Sequence, residues 1–296
     1  MSSDLNTEAD FRQIQDPSIS GEFLSGTSIE VIRAPANIGN YRHVLFDFDG
    51  TLSLIREGWP DVMVPMMVEF LLATGTDETE DELSEIAMDF VMRLTGKQTL
   101  YQMLQLSDEI EKRGGTPKEA LEYKQIYHDR LMARISRRRD ALASGDSLAE
   151  EFLVPGSINV LKDLLGRGCR CYLASGTDEI YVLEEAALLG LRDYFEGGIY
   201  GAQRDVTAFS KAMVIQRIFD ENQVDGAQLL GFGDGYVEIE NVRAVGGTPV
   251  AVASDERNKS GKPDAWKRER LVGAGADLVI PDFRESDPFL KYLFGG

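Results

Sequence analysis

The stretch from His43 to Leu52 constrains this chain most strongly, because an apolar run ends there in two closely spaced carboxylates. Apart from Asp47, the segment from Val44 to Phe48 is apolar or aromatic, as in a strand buried on both faces of a parallel sheet. Asp47 and Asp49 then lie at the carboxyl end of that strand, where open α/β sheets bind ligands. Burying two acids there is costly unless a cation compensates, so the stretch predicts Mg²⁺. The alternative is an ordinary Asp-Gly turn with its acids in water.

Three later stretches place polar side chains where a predicted strand ends or a helix begins. Ser175-Gly176-Thr177 follows the predicted strand Cys169–Ala174 and offers a hydroxyl and backbone N–H groups to an anion, or simply a helix cap. Lys211 lies in the first turn of a predicted helix, where it opposes the helix dipole and favours a nearby anion, or is simply a solvated lysine. Asp234 and Glu238, four positions apart after a glycine-rich strand end, can present two carboxylates to one cation. The alternative is a Gly-Asp-Gly turn followed by a glutamate that caps a helix.

Together these four stretches resemble the four motifs of the haloacid dehalogenase-like superfamily, over about residues 43 to 282. The helical segment after the first motif is similar to the cap of its phosphoglycolate phosphatase and β-phosphoglucomutase-like branch. The one departure is Glu238, where many relatives have Asp. The resemblance implies the following roles: Asp47 as nucleophile and metal ligand, Asp49 as general acid and base with its backbone carbonyl on the metal, Ser175, Gly176, Lys211 and Thr51 at the phosphate, and Asp234 and Glu238 at Mg²⁺.

The order of predicted elements gives the domain organisation. Residues 1–40 are polar and acidic and predict an N-terminal extension that is loosely packed or drapes over the core. Residues 56–152 have helical periodicity and predict an inserted α-helical cap domain. Within it, Thr79 and Glu82 predict a capping box, and Thr116-Pro117-Lys118-Glu119 predicts the start of a helix that runs to about Ile135. Residues 41–55 and 153–296 alternate strands with helices, which predicts a doubly wound, Rossmann-like α/β core with a parallel sheet.

Composition excludes several classes of protein and partner. The formal net charge of −19 argues against nucleic acid as a partner. No apolar run is long enough to span a bilayer, so we expect no membrane partner. The first residues carry Asp4, Glu8 and Asp10 and no apolar core, so we expect no signal peptide. Cys169 and Cys171 alternate on one predicted strand, where a disulfide is disfavoured, and reduced thiols predict a cytoplasmic protein.

Substrate recognition is expected from residues near or within the cap. Arg56 lies just after the first motif, and Lys97 with Gln98 occupies a loop similar to the one that contacts sugar in phosphoglucomutase-like relatives. The run Arg137–Arg139 is a candidate for a second anionic group. For all of them the alternative is a solvated polar surface, which is where such side chains usually lie.

These expectations combine into a Mg²⁺-dependent phosphatase that acts on a small phosphorylated metabolite, with a sugar phosphate as the expected kind. A phosphomutase or phosphotransferase would use the same site, and a non-catalytic binding or regulatory protein would have no need of Asp49. A dehalogenase is disfavoured because it has no alkoxide leaving group for Asp49 to protonate. A phosphonate hydrolase would need a Schiff-base lysine, for which Lys97 is available. The oligomeric state stays open.

Overall fold

The computed structural model of the protein describes residues 12–203 and 209–295. Within them, one mixed sheet has the strand order β1-β2-β8-β7-β6-β3-β4-β5. The strands are β1 (Glu22–Phe23), β2 (Glu30–Val31), β3 (His43–Phe46), β4 (Arg170–Asp178), β5 (Ile199–Ala202), β6 (Leu229–Gly233), β7 (Thr248–Val252) and β8 (Leu278–Ile280).

Helices connect and flank these strands in the described residues. They are α1 (Pro60–Leu72), α2 (Glu80–Arg93), α3 (Thr99–Lys112), α4 (Ala120–Ser144), α5 (Ser157–Gly166), α6 (Glu179–Leu188), α7 (Lys211–Asn222), α8 (Tyr236–Ala244), α9 (Ala265–Gly273) and α10 (Ser286–Phe294).

Strand β3 is the switch point of the sheet, where the direction in which the chain adds parallel strands reverses. Phe46 pairs in register with Leu173 of β4 on one side and with Phe232 of β6 on the other. The chain runs outward from β3 through β4 to β5, then returns to β6 and runs outward through β7 to β8. This is the predicted doubly wound arrangement, which is confirmed. It places the ligand crevice at the carboxyl end of β3.

The core lies on both faces of β3, as its apolar sequence requires. On one face, Phe46 stacks on Phe232 with ring centroids 4.8 Å apart, and Phe283 packs at 5.6 Å from Phe232. On the other face, Leu45 packs in a buried cluster with Tyr172 and Ile215. Packing on both faces fixes β3 and therefore the position of the acids that follow it.

The described chain divides into two compact units. One is the helical segment Gly58–Arg137, and the other combines Arg12–Glu57 with the chain from Arg138 onward. In the helical unit the predicted capping box at α2 is present, with Thr79 N–H donating to Glu82 Oε2 at 2.8 Å. The helix start predicted at Thr116 is wrong, because α4 begins at Ala120, and that helix continues to Ser144 instead of ending near Ile135.

The N-terminal segment adds an antiparallel edge to the sheet. Strand β2 pairs with both β1 and β8. Glu30 of β2 is only 2% exposed, and its carboxylate accepts hydrogen bonds from Arg268 Nε at 2.8 Å and Nη2 at 2.6 Å. The backbone N–H of Gly21 donates to the same carboxylate at 2.8 Å. The segment is therefore anchored by a buried ion pair as well as by strand pairing.

Two expectations from composition can be compared with the fold. Among residues 12–203 and 209–295, every helix is too short or too polar to cross a bilayer. Cys169 and Cys171 are buried and are not joined by a disulfide. Burial raises the pKa of Cys169 to about 11 and that of Cys171 to about 12, so neither thiol ionises readily.

The anchor of the N-terminal segment yields a stability prediction. Arg268→Met leaves the buried Glu30 carboxylate without its charged partner, so we expect a loss of about 3–5 kcal/mol in the free energy of unfolding. Arg217→Met is the matched control, because Arg217 and Glu221 form a pair whose side chains are 57% and 58% exposed. The loss in the free energy of unfolding for Arg217→Met should stay below about 1 kcal/mol. Urea unfolding followed by circular dichroism measures both, and equal losses would contradict the anchoring role.

Candidate active site

Asp47 lies at the end of β3 in a buried cluster of opposite charges. Its carboxylate oxygen Oδ1 accepts the Phe48 N–H at 2.8 Å and lies 2.9 Å from Lys211 Nζ. The Lys211 ammonium also contacts Glu238 Oε1. Lys211 is the first residue of α7, whose N-cap Ser210 accepts the Met213 N–H, and Glu238 lies in the first turn of α8. Two helix starts and one strand end thus meet at a single ammonium group.

Burial and neighbouring charge shape the electrostatics of this cluster. Loss of hydration is the largest influence on Asp47 and raises its pKa, Lys211 opposes that rise, and the Asp234 carboxylate adds to it. Glu238 is 1% exposed, and its Oε2 atom is buried without a hydrogen-bond partner. A buried carboxyl oxygen left without a hydrogen-bond partner in this way favours a nearby cation.

Asp49 is held by the carboxyl end of β4, which contains Ser175 and Thr177. Its Oδ2 atom accepts a hydrogen bond from Thr177 Oγ1 at 2.8 Å, and Ser175 Oγ lies at 3.5 Å. The pKa of Asp49 is raised to about 7, chiefly by burial, with Arg56 opposing the rise and Glu185 adding to it. Strand β4 continues to Asp178, beyond its predicted end at Ala174, and so carries Ser175, Gly176 and Thr177 to Asp49.

Asp234 follows β6 and is fixed by the first-motif loop. Thr51 Oγ1 accepts the Asp234 N–H at 3.0 Å and lies 3.3 Å from Asp234 Oδ1. Thr51 is completely buried, so its hydroxyl faces Asp234 and is not open to a ligand in this structure. Ser254 Oγ donates to the Gly50 carbonyl at 2.6 Å, which ties the loop after β7 to the same place.

Lys267 and Glu256 also belong to this cluster, although the sequence reasoning missed both. Lys267 Nζ lies 2.8 Å from Asp234 Oδ2 and 2.6 Å from Glu256 Oε1. The signal used for Lys211 was available for Lys267 as well. It is a lysine in the first turn of a helix, with Asp264 as the side-chain cap.

The guanidinium of Arg56 contacts acidic side chains of the protein itself. Its guanidinium donates to both carboxylate oxygens of the buried Glu185, at 3.0 and 2.8 Å. Arg56 Nε also lies 3.8 Å from Asp49 Oδ1. Two members of the arginine run are engaged as well: Arg138 donates to the carbonyls of Ile55 and Glu57, and Arg139 pairs with Glu184.

The other two predicted substrate residues belong to the helical unit. Lys97 lies between α2 and α3, with its ammonium 5.5 Å from the centre of the Tyr101 ring. Gln98 is the residue before α3 and is buried within that unit. The structure therefore gathers Asp47, Asp49, Ser175, Lys211, Asp234 and Glu238 in one unit, and leaves Lys97 and Gln98 in another.

The donor chemistry of the cluster suits a hard cation. Asp47, Asp234 and Glu238 offer carboxylate oxygens, the ligands that Mg²⁺ prefers, and Glu238 Oε2 has no partner. In the described part of the chain, no three His, Cys, Asp or Glu side chains converge closely enough to hold a metal ion. The two lysines explain this arrangement, since one ammonium lies between Asp47 and Glu238 and the other between Asp234 and Glu256.

A family model described as haloacid dehalogenase-like hydrolase matches residues 41–246, which is more than half of the chain. The chain belongs to this family. The match spans all four predicted motifs, from Asp47 to Glu238. Membership confirms the predicted resemblance and the predicted enzyme class, a phosphoric monoester hydrolase.

Individual relatives are more distant. A 5′-nucleotidase of Pseudomonas aeruginosa is 26% identical over 195 residues, which cover 66% of this chain and 74% of the relative. A predicted phosphatase from Clostridium acetobutylicum has a TM-score of 0.55 at 18% identity, covering 86% of this chain and 99% of that one. A β-phosphoglucomutase from Clostridium difficile has a TM-score of 0.53 at 13% identity, covering 86% and 97%. The solved structures support the fold, including its cap.

Gly50 yields a prediction about the integrity of the site. Its φ is +74°, and a Cβ atom at this position would lie 2.1 Å from Asp234 Oδ2. Gly50→Ala should therefore displace Asp234 and reduce aryl phosphate hydrolysis roughly 100-fold.

Gly246→Ala is the matched control for Gly50→Ala. Gly246 has a φ of +82°, but a Cβ there would meet no atom within 4 Å. It should carry the same backbone strain of about 1–2 kcal/mol and keep its activity. Steady-state rates with thermal unfolding separate strain from displacement. Equal activity loss in both variants would contradict a specific clash with Asp234.

The raised pKa of Asp49 predicts how stability depends on pH. Its pKa rises from 3.8 to about 7, so the folded protein binds a proton that the unfolded chain has released. Stability is therefore lost as pH rises from about 4 to about 7. Asp49→Asn has no titrating group at this position and shows no such loss. The stability of the variant relative to the native protein should therefore increase as pH rises across that range. Thermal unfolding in EDTA at several pH values measures the gain, and a difference that is constant with pH would refute the shift.

Proposed function

We propose that this protein is a Mg²⁺-dependent phosphatase that hydrolyses a small phosphorylated metabolite through an aspartyl-phosphate on Asp47. The observation that carries the proposal is the Asp47–Lys211 contact of 2.9 Å, at the switch point of the sheet. There a buried carboxylate lies beside the cation that can neutralise a phosphoryl group. The Asp49 carboxyl is held nearby by Thr177, with a pKa of about 7.

The binding roles follow from charge. Lys211 and Ser175, with the backbone of Gly176, would hold the phosphoryl oxygens, and Thr51 would support the site through Asp234. Asp47, Asp234, Glu238 and the backbone carbonyl of Asp49 would hold Mg²⁺. When bound, Mg²⁺ supplies positive charge that reduces the repulsion between the phosphoryl group and Asp47.

The chemistry then belongs to two aspartates. An Asp47 oxygen attacks phosphorus as the bond to the leaving oxygen breaks, and Asp49 gives its proton to that oxygen. Asp49, now ionised, takes a proton from water as the water oxygen attacks the same phosphorus. The bond between phosphorus and the Asp47 oxygen breaks, which regenerates the Asp47 carboxylate and releases inorganic phosphate. A pKa of about 7 supports this double role, because Asp49 can then lose and regain a proton near neutral pH.

Substrate choice would belong to the helical segment. We propose that residues 56–152 form the cap domain, that residues 41–55 and 153–296 form the core, and that residues 1–40 are an extension. The compact helical unit Gly58–Arg137 supports the assignment of the cap. Lys97 and Gln98 are the proposed sugar-reading residues. Arg56 is a weaker candidate than the sequence indicated, since Glu185 engages its guanidinium. A cytoplasmic location is proposed from the two free thiols.

The nucleophile is tested by Asp47→Asn. The carboxamide keeps the shape of the side chain but is a poor nucleophile, so Mg²⁺-dependent phosphate release from an aryl phosphate should fall to background. Asp140→Asn, at an exposed position of α4, is the control and should keep its turnover. Phosphate release is measured by colorimetry, and circular dichroism checks the fold. Undiminished turnover in Asp47→Asn would remove Asp47 as nucleophile.

The substrate class is tested with a panel of phosphorylated metabolites, with and without Mg²⁺. Sugar phosphates are the expected best substrates, and nucleoside 5′-monophosphates are included because a 5′-nucleotidase is among the relatives. Release of inorganic phosphate supports hydrolysis. Transfer of the phosphoryl group to a second hydroxyl of the sugar would overturn the proposed hydrolysis and identify the protein as a mutase.

A further inference from the structure

Lys211 and Lys267 have similar surroundings, but the proposed chemistry uses only the first. Each lies in the first turn of a helix whose N-cap side chain accepts a backbone N–H, α7 for Lys211 and α9 for Lys267. Each ammonium lies between two carboxylates. A lysine at a helix start opposes the helix dipole, so local anions must hold it there. The role of Lys267 therefore needs its own explanation.

Three oxygen atoms surround the Lys267 ammonium. They are Asp234 Oδ2 at 2.8 Å, Ser254 Oγ at 3.0 Å and Glu256 Oε1 at 2.6 Å. The lysine side chain is only 12% exposed. Burial raises the pKa of Glu256, and Lys267 opposes that rise. The arrangement is a small oxygen cage that already contains one positive charge.

This cage adjoins the proposed Mg²⁺ site through a shared carboxylate. Asp234 is a proposed ligand of Mg²⁺, and its Oδ2 atom is one wall of the cage. In two-metal phosphatases the second ion lies about 3.5–4 Å from the first and shares its task of charge neutralisation. Carboxylate and hydroxyl oxygens are also the ligands that a second hard cation would take.

We propose that Lys267 is a tethered cation that takes the place of a second divalent ion beside Asp234 and limits the site to one metal. The inference rests on the proposed function, because it takes Asp234 as a ligand of the Mg²⁺ site. A covalently attached ammonium cannot dissociate, so the negative charge of Asp234 and Glu256 stays balanced at any metal concentration. The Lys267 ammonium occupies the position between the three oxygens, 2.6–3.0 Å from each, so a divalent ion cannot enter the cage while the lysine is present.

The test counts bound Mn²⁺ in the substrate-free protein by electron paramagnetic resonance and titration calorimetry. The native protein should bind one ion. Lys267→Met should bind two, because the cage keeps its oxygens and loses its cation. The double variant Lys267→Met with Glu256→Gln should return to one, since the cage then lacks a carboxylate.

Lys259→Met is the matched control. It removes the same charge from the segment between β7 and α9, but the Lys259 ammonium donates to the backbone carbonyl of Glu151 and not to a carboxylate. It should bind one Mn²⁺, as the native protein does. A second ion in Lys259→Met as well would attribute the effect to net charge and overturn the role of Lys267.

The remaining outcomes separate the two proposals. The same count in Lys267→Met as in the native protein overturns the tethered-cation role. If the native protein binds no Mn²⁺, the proposed Mg²⁺ site is rejected. If Lys267→Met nevertheless binds one ion more than the native protein, that result still supports the proposal that Lys267 takes the place of a divalent ion. If Lys267→Met is unfolded in EDTA, circular dichroism during the Mn²⁺ titration shows whether the ion restores the fold. Recovery of the fold with added Mn²⁺ supports the inference, and failure to recover overturns it.

Discussion

The structure depends on holding several carboxylates close together at one edge of a sheet. Asp47, Asp234, Glu238 and Glu256 are largely removed from water, and such groups repel each other strongly where water cannot screen them. Two lysines compensate. Lys211 lies between Asp47 and Glu238, and Lys267 lies between Asp234 and Glu256. Without these ammonium groups or a metal in their place, the repulsion between the acids would be uncompensated.

The fold supplies the rigidity that this charge balance needs. Strand β3 is packed on both faces, and its neighbours β4 and β6 hold Phe46 in register on either side. The acid after β3 and the acid after β6 therefore meet at a fixed separation. Hydrogen bonds between Thr51 and Asp234, and between Ser254 and Gly50, connect the loops that follow three strands. Asp47, the proposed nucleophile, and the charges around it are thus oriented before any substrate arrives, which is the main means by which such sites lower a barrier.

Much of the candidate site could be predicted because its side chains follow regular elements. A buried strand ending in Asp47, or a capped helix starting at Lys211, has a recognisable pattern in the residues themselves. Lys267 was missed although it has the same kind of pattern, because α9 follows a long polar loop and its start was not recognised. The predicted start of α4 at Thr116 was also wrong. A threonine, a proline and a glutamate satisfy local helix preferences, but the helix begins four residues later, at Ala120.

The sequence by itself determined the family, the alternation of strands and helices in the core, and the identity of the acids at the strand ends. The alternation and the acids follow from local composition and spacing, which the chain carries without reference to contacts, and the family follows from the resemblance of the four motifs. Only the tertiary structure decided which charges are partners. Arg56 is engaged by Glu185, 129 residues away, and Thr51 by Asp234, 183 residues away. Such pairings depend on how strands order themselves in the sheet, and no local pattern encodes that order.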